Sequence, residues 1–205
     1  MKISCAGAGK RFNRDWIFRN FSFAFLPGVH YAITGPNGAG KSTLLQVIGG
    51  AVVSSEGKIT YTQQNQELPA DHVHAHLSIA APYLDIIEEM TLREFLQFHR
   101  IFKPFLKEIT VPDIIAMIHL EKAAGKQIRY FSSGMKQRVK LAQAFFSDTP
   151  CILLDEPCTN LDEAGIQLYH HLITRFCTGR MVIVSSNDQQ EYSFCKDVLN
   201  IMDYK

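Results

Sequence analysis

The sequence predicts an α/β fold with a mostly parallel sheet core, a small antiparallel β part and an inserted helical lobe. Three short apolar runs alternate with segments of helical periodicity: "VHYAIT" (29–34), "CILLD" (151–155) and "MVIVS" (181–185). Alternation of this kind is the signature of α/β proteins. Runs that are apolar throughout are typical of parallel strands covered on both faces. We therefore expect these three runs to be neighbouring core strands.

The N-terminal part of the chain has a different pattern. The stretches "FRNFSFAF" (18–25) and "GKITYT" (57–62) alternate apolar and polar residues, which predicts small antiparallel strands. The stretch "AGAGK" (6–10) has no strand before it, and we interpret it as a turn. Between these strands, "KSTLLQVIGG" predicts a helix that ends at Gly49 and Gly50.

The middle of the chain is predicted to be helical. The stretch "TLREFLQFHRIF" (91–102) has apolar residues at helical spacing. In "VPDIIAMIHLEKAAG" (111–125), Pro and Asp suit a first turn and the final Gly lies past a helix end. We expect a single domain over residues 1–205. Its sheet core would cover about 1–83 and 141–205, and its helical lobe about 84–140.

Composition narrows the class of protein. The 205 residues are 46% apolar and 20% charged, as in an ordinary globular domain, and the net charge of +1 gives no reason to expect a nucleic-acid partner. The five cysteines are widely spaced, which favours reduced thiols in a cytoplasmic protein. No apolar run approaches the roughly 20 residues of a membrane helix. We expect other chains to do any membrane crossing.

The strongest motif is "GPNGAGKST", which matches G-x-x-x-x-G-K-[ST] between a predicted strand and a predicted helix. Its glycines allow the backbone N–H groups to turn inward as a nest for phosphate oxygens. Lys41 would supply a cation for the β- and γ-phosphates, and Ser42 a hydroxyl for Mg²⁺. The whole loop is expected to contact nucleotide: Gly35, Pro36, Asn37, Gly38, Ala39, Gly40, Lys41, Ser42 and Thr43.

Two acidic residues follow the predicted strand "CILLD". Asp155 and Glu156 would lie at the carboxyl end of a parallel strand, which is where α/β proteins bind ligands. We expect Asp155 to hold Mg²⁺, directly or through water. We expect Glu156 to orient and deprotonate an attacking water. Alone, two acids at a strand end would indicate a solvated turn, but the phosphate loop favours a catalytic site.

A third element lies in "YFSSGMKQRVKLAQAFF", where the periodicity predicts a helix that begins just after Ser132, Ser133 and Gly134. Hydroxyls, a glycine and a helix N-terminus together favour a second anion site. One domain seldom needs two γ-phosphate sites, whereas two copies arranged head to tail would use both. The basic cluster "KQRVK" (136–140) is interpreted as a solvated helix face near this site.

In this order the motifs resemble those of the nucleotide-binding subunit of ABC (ATP-binding cassette) transporters, a P-loop NTPase fold. "GPNGAGKST" resembles the Walker A motif, "CILLDEP" the Walker B motif, "TNLD" the D-loop and "SSGMKQR" the signature. Phe12 is similar in position to the aromatic residue that stacks on adenine, and Trp16 is a weaker candidate. The cofactors that the resemblance implies are ATP and Mg²⁺.

The resemblance also implies partners and a location. ATP would be held between two ABC subunits, in a homodimer or a heterodimer. Ser132, Ser133 and Gly134 would meet the γ-phosphate across the interface, and Asp162 would lie near the same seam. Transmembrane subunits on separate chains would place the protein at the cytoplasmic face of the membrane. The function implied is ATP hydrolysis that powers transport.

The chain departs from the family pattern at three places. In the signature, Ser133 and Met135 stand where glycine and glutamine are usual. Pro82 occupies the expected position of the Q-loop glutamine, and Asn187 replaces the switch histidine. We expect Asn187 to contact the γ-phosphate through its amide and to act in catalysis. Because an amide cannot take up a proton as imidazole does, basal ATPase activity should be weak.

Two alternatives to a competent transport ATPase remain. One is a slow or non-hydrolysing nucleotide switch that pairs with a competent subunit, although the presence of Glu156 favours hydrolysis. The other is an ABC protein of DNA repair or translation. The sequence disfavours this second alternative. Fewer than a hundred residues separate Lys41 from Ser132, whereas relatives in chromosome maintenance carry very long coiled coils there, and translation-associated relatives usually carry two cassettes where this chain has one.

The three histidines of "DHVHAHL" raise the question of a metal site. His72, His74 and His76 would share one face of a strand, and imidazoles are zinc ligands. No carboxylate or cysteine cluster accompanies them at a recognised spacing. We interpret the stretch as a half-exposed strand edge.

Overall fold

Nine β-strands and six α-helices make up the computed structural model, which describes residues 1–205. The strands are β1 (Lys2–Phe12), β2 (Asp15–Phe25), β3 (His30–Thr34), β4 (Glu56–Gln63), β5 (Gln66–Leu68), β6 (Leu77–Ala80), β7 (Cys151–Asp155), β8 (Met181–Ser185) and β9 (Asp197–Asn200). The helices are α1 (Lys41–Ile48), α2 (Leu92–Phe102), α3 (Val111–Met117), α4 (Ser133–Phe146), α5 (Glu163–Phe176) and α6 (Gln189–Tyr192). None of the helices combines the length and the apolar character that crossing a membrane requires.

The chain divides into two compact units. The first contains Met1–Leu77, Thr149–Glu156 and Gly179–Lys205, and the second contains Ser78–Asp148 and Pro157–Thr178. The second unit is larger than the helical lobe expected at about 84–140. It includes all of α4 and all of α5, and aromatic residues of these two helices pack together. The ring centroids of Phe145 and Tyr169 are 6.1 Å apart.

A parallel sheet of the first unit contains β7, β8, β3 and β9 in that order. Ile183 of β8 pairs with Leu153 on one side and with Tyr31 on the other. Every residue of β7 and β8 is buried, as their continuous apolar sequences predict. The strand β9 was not predicted from the sequence, because "DVLN" is short and mostly exposed at the sheet edge.

The antiparallel sheet has the order β2-β1-β4-β5, which confirms the predicted small antiparallel strands. The interpretation of "AGAGK" as a turn is wrong, since these residues lie within β1. β1 pairs with β2 and β4 through irregular registers, and Gly7 has a positive φ of 56° at one irregularity. At Gly57 a Cβ would lie 2.3 Å from the carbonyl oxygen of Gly7, so the two backbones approach closely there.

The histidines at 72, 74 and 76 do not lie on a strand, which corrects the expectation of a shared strand face. They belong to a 3₁₀ helix, Ala70–His76, that follows Pro69. One of these histidines makes a local contact, since Nδ1 of His74 lies 2.7 Å from the carbonyl oxygen of Asp71. Val73 is the buried residue of this helix. Because a 3₁₀ helix has three residues per turn, side chains two residues apart point in different directions, so the three histidines do not share one face.

The helices α2 and α3 begin at capping boxes. Thr91 and Glu94 form the first, and Thr110 and Asp113 the second. The predicted helix over 111–125 is too long, because α3 ends at Met117 and a short 3₁₀ helix occupies Glu121–Ala123. His119 between them has a φ of 58°, which an α-helix cannot accommodate.

Candidate functional site

The phosphate loop connects β3 to α1, as the sequence predicts. Gly35, Gly38 and Gly40 have φ values of 141°, 77° and 95°. Residues with side chains rarely adopt these angles. At Gly40 a Cβ would also lie 2.2 Å from Cγ2 of Ile17. The glycines are therefore required by the path of the loop and by its contact with β2.

Lys41 turns back over the loop that precedes it. The residue is 5% exposed, and its Nζ donates to the carbonyl oxygens of Gly35 at 2.9 Å and Pro36 at 3.3 Å. The ammonium is thus held beside a recess of about 260 Å³. The recess is lined by Ile17, Asn37, Gly38, Gly40, Lys41, Ser42, Thr43 and Glu156. Phosphate oxygens can reach backbone N–H groups, a cation and hydroxyls there.

Asp155 is the last residue of β7 and is 2% exposed. Its Oδ1 atom is buried without a hydrogen-bond partner. Burial raises the pKa of the Asp155 carboxyl, and the nearby hydroxyls of Ser42 and Ser185 oppose that rise. A buried, unsatisfied carboxylate oxygen is costly unless something pairs with it. The Asp155 carboxylate and the Ser42 hydroxyl are oxygen ligands of the kind that suits Mg²⁺.

Glu156 directly follows β7 and has a φ of 42°. Its backbone N–H donates to the carbonyl oxygen of Ser185 at 2.9 Å, which fixes this left-handed turn. Its side chain is half-buried and lines the same recess as Lys41. Strained backbone of this kind persists only where the surroundings enforce it, and it is concentrated at functional sites. The structure brings Glu156 and the phosphate loop together.

Asn187 follows β8 and contacts the phosphate loop through both ends of its amide. Its Oδ1 accepts the backbone N–H of Gly35 at 3.2 Å, and its Nδ2 donates to Oδ1 of Asn37 at 3.0 Å. The sequence predicted a γ-phosphate contact for this residue. In the structure, Asn187 bridges two residues of the loop, and the γ-phosphate contact stays a prediction.

Phe12 and Trp16 differ in what covers their rings. Phe12 ends β1 with 50% of its surface exposed, and the ammonium of Lys10 lies 4.9 Å from its ring centroid. Trp16 lies near two guanidinium groups, 5.5 Å from that of Arg11 and 4.2 Å from that of Arg19. Phe12 therefore has more free ring surface for a stacked base. Neither residue lines the recess at the phosphate loop.

The signature residues lie at the start of α4 in the second unit. Ser132 is the N-cap, and its Oγ accepts the backbone N–H of Met135 at 3.3 Å. The helix begins at Ser133, so the expected start after Gly134 is corrected by two residues. A Cβ on Gly134 would lie 2.9 Å from the carbonyl oxygen of Asn160. This close approach leaves little room for a side chain at residue 134.

Asp162 caps α5 and forms an ion pair. Its Oδ1 accepts the Gly165 N–H at 2.8 Å and lies 3.0 Å from Nη2 of Arg138. The Gly165 N–H, and secondly Arg138, lower the pKa of the Asp162 carboxyl. With the signature residues, Asp162 lines a cleft of about 680 Å³. The lining residues are His119, Leu120, Glu121, Lys122, Ala123, Ser132, Ser133, Gly134, Met135, Arg138, Asn160 and Asp162.

Several residues of the two sites were not predicted from the sequence. Ile17 enters the recess because β2 packs on the loop, and no motif marks it. Ser185 was identified as a strand end but not as a neighbour of Asp155. Arg138 lies within the basic cluster 136–140, interpreted from its sequence as a solvated helix face. Its position one helical turn after Gly134 could have indicated that it lines the cleft.

Pro82, which aligns in sequence with the expected Q-loop glutamine, is exposed. Its carbonyl oxygen accepts a hydrogen bond from Nζ of Lys140 at 2.8 Å, and Nζ also contacts the carbonyl oxygen of Ala81 at 3.3 Å. Lys136 of the same helix forms an ion pair with Glu88. The segment that contains Pro82 is thus attached to α4 by two lysines.

The comparison that decides the family is a match of residues 18–159 to the sequence model described as ABC transporter. This chain belongs to the ABC transporter family. ATP is accordingly the nucleotide that this cassette binds, and the α/β fold with its antiparallel sheet is that of an ABC ATPase.

Individual relatives agree with this assignment. The chain is 29% identical over 205 residues to a Nod factor export ATP-binding protein I of Rhizobium johnstonii, covering 98% of this chain and 66% of the relative. It is 30% identical over 200 residues to an uncharacterized ABC transporter ATP-binding protein, YybJ, of Bacillus subtilis, covering 94% of this chain and 88% of the relative. The chain therefore spans slightly less than two thirds of the Rhizobium protein.

Solved structures agree on the fold. The ATP-binding cassette MJ0796, in a dimeric post-hydrolysis state bound to ADP and Pi, has a TM-score of 0.81 and 22% identity. The similarity covers 97% of this ABC protein and 93% of that chain. At this identity the comparison shows a shared fold.

Proposed function

We propose that this protein is the ATP-binding and ATP-hydrolysing subunit of an ABC-type membrane transporter, and that ATP drives its dimerisation. One observation carries the proposal: the phosphate loop, Lys41, Ser42 and Glu156 line a single recess of about 260 Å³. Asp155 lies at the adjoining end of β7 with an unpaired carboxylate oxygen. These are the groups that phosphoryl transfer to water needs.

In the proposed mechanism, the loop and Lys41 bind the phosphates. The Lys41 ammonium can exchange the carbonyl oxygens of Gly35 and Pro36 for phosphate oxygens, which are stronger acceptors because they are charged. Ser42 and Asp155 would hold Mg²⁺, which supplies positive charge to the phosphate oxygens when bound. Glu156 orients the attacking water and accepts its proton. Its half-buried position on the recess suits that role.

The signature cleft supports a head-to-tail dimer. Ser132 and Gly134 present a hydroxyl and the N-terminus of α4, which has 14 residues and a favourable dipole for an anion. The cleft is open to solvent and belongs to the second unit, whereas the phosphate loop belongs to the first. We propose that each copy offers its signature to the ATP of another copy, or of a related ABC subunit.

An exposed apolar surface on α2 supports a transmembrane partner on a separate chain. Phe98, Ile101 and Phe102 are 38%, 73% and 70% exposed, and the rings of Phe98 and Phe102 are 5.1 Å apart. Adjoining apolar side chains on one helix favour a protein partner over water. Such a partner would hold the protein at the cytoplasmic face of the membrane.

We propose that basal hydrolysis is slow. Pro82 brings no side-chain amide to the place of the Q-loop glutamine, and Asn187 is bonded to the loop. A partner that orders these segments would raise the rate. A slow nucleotide switch that pairs with a competent subunit is the second candidate, and it is favoured by the same two residues.

The experiment is steady-state release of phosphate from ATP with Mg²⁺, measured on the wild-type protein, on Glu156→Gln and on Glu67→Gln. Glu67 lies on β5 and pairs with Lys58, away from the recess. We expect wild type and Glu67→Gln to hydrolyse ATP slowly and equally, and Glu156→Gln to lose at least about 100-fold. Equal rates for all three proteins would contradict the role of Glu156.

A further inference from the structure

The amide of Asn187 connects two residues of the phosphate loop that are separated by Pro36. The Oδ1 atom accepts from Gly35 at 3.2 Å, and Nδ2 donates to the side-chain oxygen of Asn37 at 3.0 Å. The first three residues of the loop are therefore closed into a ring by one side chain.

Asn187 is itself fixed to the parallel sheet. The preceding residue, Ser186, is 1% exposed, and its N–H donates to the carbonyl oxygen of Ile33 at 3.1 Å. Its hydroxyl accepts the N–H of Asp188 at 2.9 Å. Asn187 thus extends from a rigid point beside β3, the strand that leads into the loop.

The ring has a chemical consequence. Pro36 lacks an N–H and has a restricted φ, so the arc from Gly35 to Asn37 has little freedom once its two ends are held. When residues 35–37 are held in place, the backbone N–H groups of the following loop residues are already oriented for binding. These N–H groups are the ones that bind the α- and β-phosphates. Ordering a loop before binding reduces the entropy that binding must overcome.

We propose that Asn187 is a positioning residue that holds the phosphate loop in its binding conformation through Gly35 and Asn37. It then acts on nucleotide affinity as a whole and not on the γ-phosphate alone. This inference rests on the proposed function, because it assumes that the loop binds ATP. It differs from the sequence expectation, in which Asn187 contacts the γ-phosphate.

ADP and ATP distinguish the two roles. Both nucleotides carry the α- and β-phosphates that the loop binds, whereas only ATP carries the γ-phosphate. We expect Asn187→Ala to weaken both affinities by the same factor, at least about 2- to 10-fold, because that is the value of one net neutral hydrogen bond and the variant removes two. The measurement is equilibrium binding of fluorescent ADP and ATP analogues with Mg²⁺.

Asn37→Ala is the paired variant. It removes one of the two contacts, so it should weaken ADP and ATP equally and by no more than Asn187→Ala does. The double variant should bind as Asn187→Ala does, because the Asn37 contact is already lost there. If Asn187→Ala lowers the melting temperature of the nucleotide-free protein, Asn37→Ala still tests the contact between these two residues. Gln189→Ala, exposed and two residues beyond Asn187, is the control and should bind like wild type.

Three results would overturn the proposal that Asn187 holds the loop through Gly35 and Asn37. The variants could bind ATP more weakly and ADP unchanged, the effects could add in the double variant, or both single variants could keep wild-type affinity. Failure of the proposed function gives a different result, since wild-type protein would then still bind both nucleotides but release no phosphate from ATP.

Discussion

Arg138 and Asp162 form an ion pair, 3.0 Å between Nη2 and Oδ1, beside the signature. The same Asp162 oxygen also accepts the Gly165 N–H at the start of α5. One carboxylate thus joins α4 to the first turn of α5. The two contacts of the Asp162 side chain have different chemical requirements. The helix cap requires only a hydrogen-bond acceptor, whereas the ion pair requires a negative charge.

This difference gives a prediction for Asp162. Asp162→Asn should keep the cap, because Asn and Asp cap helices about equally well. Asp162→Ala should lose both contacts and lower the melting temperature clearly more than Asp162→Asn does. Thermal unfolding followed by circular dichroism measures both. Equal melting temperatures for the two variants would show that the cap contributes nothing.

A second prediction separates the two roles of Ser132. As N-cap it bonds the Met135 N–H, and as a signature residue it is proposed to meet a phosphate. Ser132→Ala should cost about 0.5–2 kcal/mol of unfolding free energy. Ser132→Asp should keep the cap, since Asp is as good an N-cap, but should repel phosphate. We expect Ser132→Asp to unfold like wild type in urea and to lose ATP-dependent dimerisation. Normal dimerisation of Ser132→Asp would exclude a phosphate contact.

A third prediction concerns Lys41. Its ammonium makes charge-assisted bonds, which are worth roughly 1.5–3 kcal/mol each, so Lys41→Ala should weaken ATP binding by about 10- to 100-fold or more. Lys58→Ala is the matched control, because Lys58 is exposed and pairs with Glu67. Binding of a fluorescent ATP analogue measures both variants. Wild-type affinity in Lys41→Ala would contradict the phosphate-loop assignment.

A fourth prediction concerns pH and His99 on α2. Burial, and secondly the charge of Lys103, lower the pKa of His99 from 6.5 to about 4. Between these values the unfolded chain binds a proton that the folded protein does not. The contribution to stability is therefore full above pH 6.5 and decreases as the pH falls towards about 4.

The variant His99→Gln tests this. Gln can retain a hydrogen bond to the Ser147 hydroxyl, which lies 2.9 Å from His99 Nε2, but it does not titrate. We expect the melting temperature to fall less steeply with decreasing pH in His99→Gln than in wild type. Parallel pH profiles would mean that His99 titrates alike in the folded and unfolded chains.

The sequence was sufficient for the parts of the fold that depend on local pattern. The spacing of Gly35, Gly40 and Lys41 predicted the loop and the start of α1, and the apolar runs predicted β7 and β8. The contacts of Asn187 could not be predicted, because they depend on the pairing of β8 with β3, far apart along the chain. The left-handed backbone at His119, which separates α3 from the following turn, has no sequence signal comparable to a glycine.

The most direct test of the central proposal is the ATP-dependent mass of Glu156→Gln, measured by size-exclusion chromatography with light scattering. This substitution should block hydrolysis and leave the phosphate loop and the signature intact. We expect a monomer without nucleotide or with ADP, and a dimer with ATP, whereas Glu156→Gln combined with Ser132→Asp stays monomeric. The contradicting result is a Glu156→Gln protein that binds ATP and yet remains a monomer at every protein concentration. It would show that ATP does not drive two copies of this chain to form a homodimer.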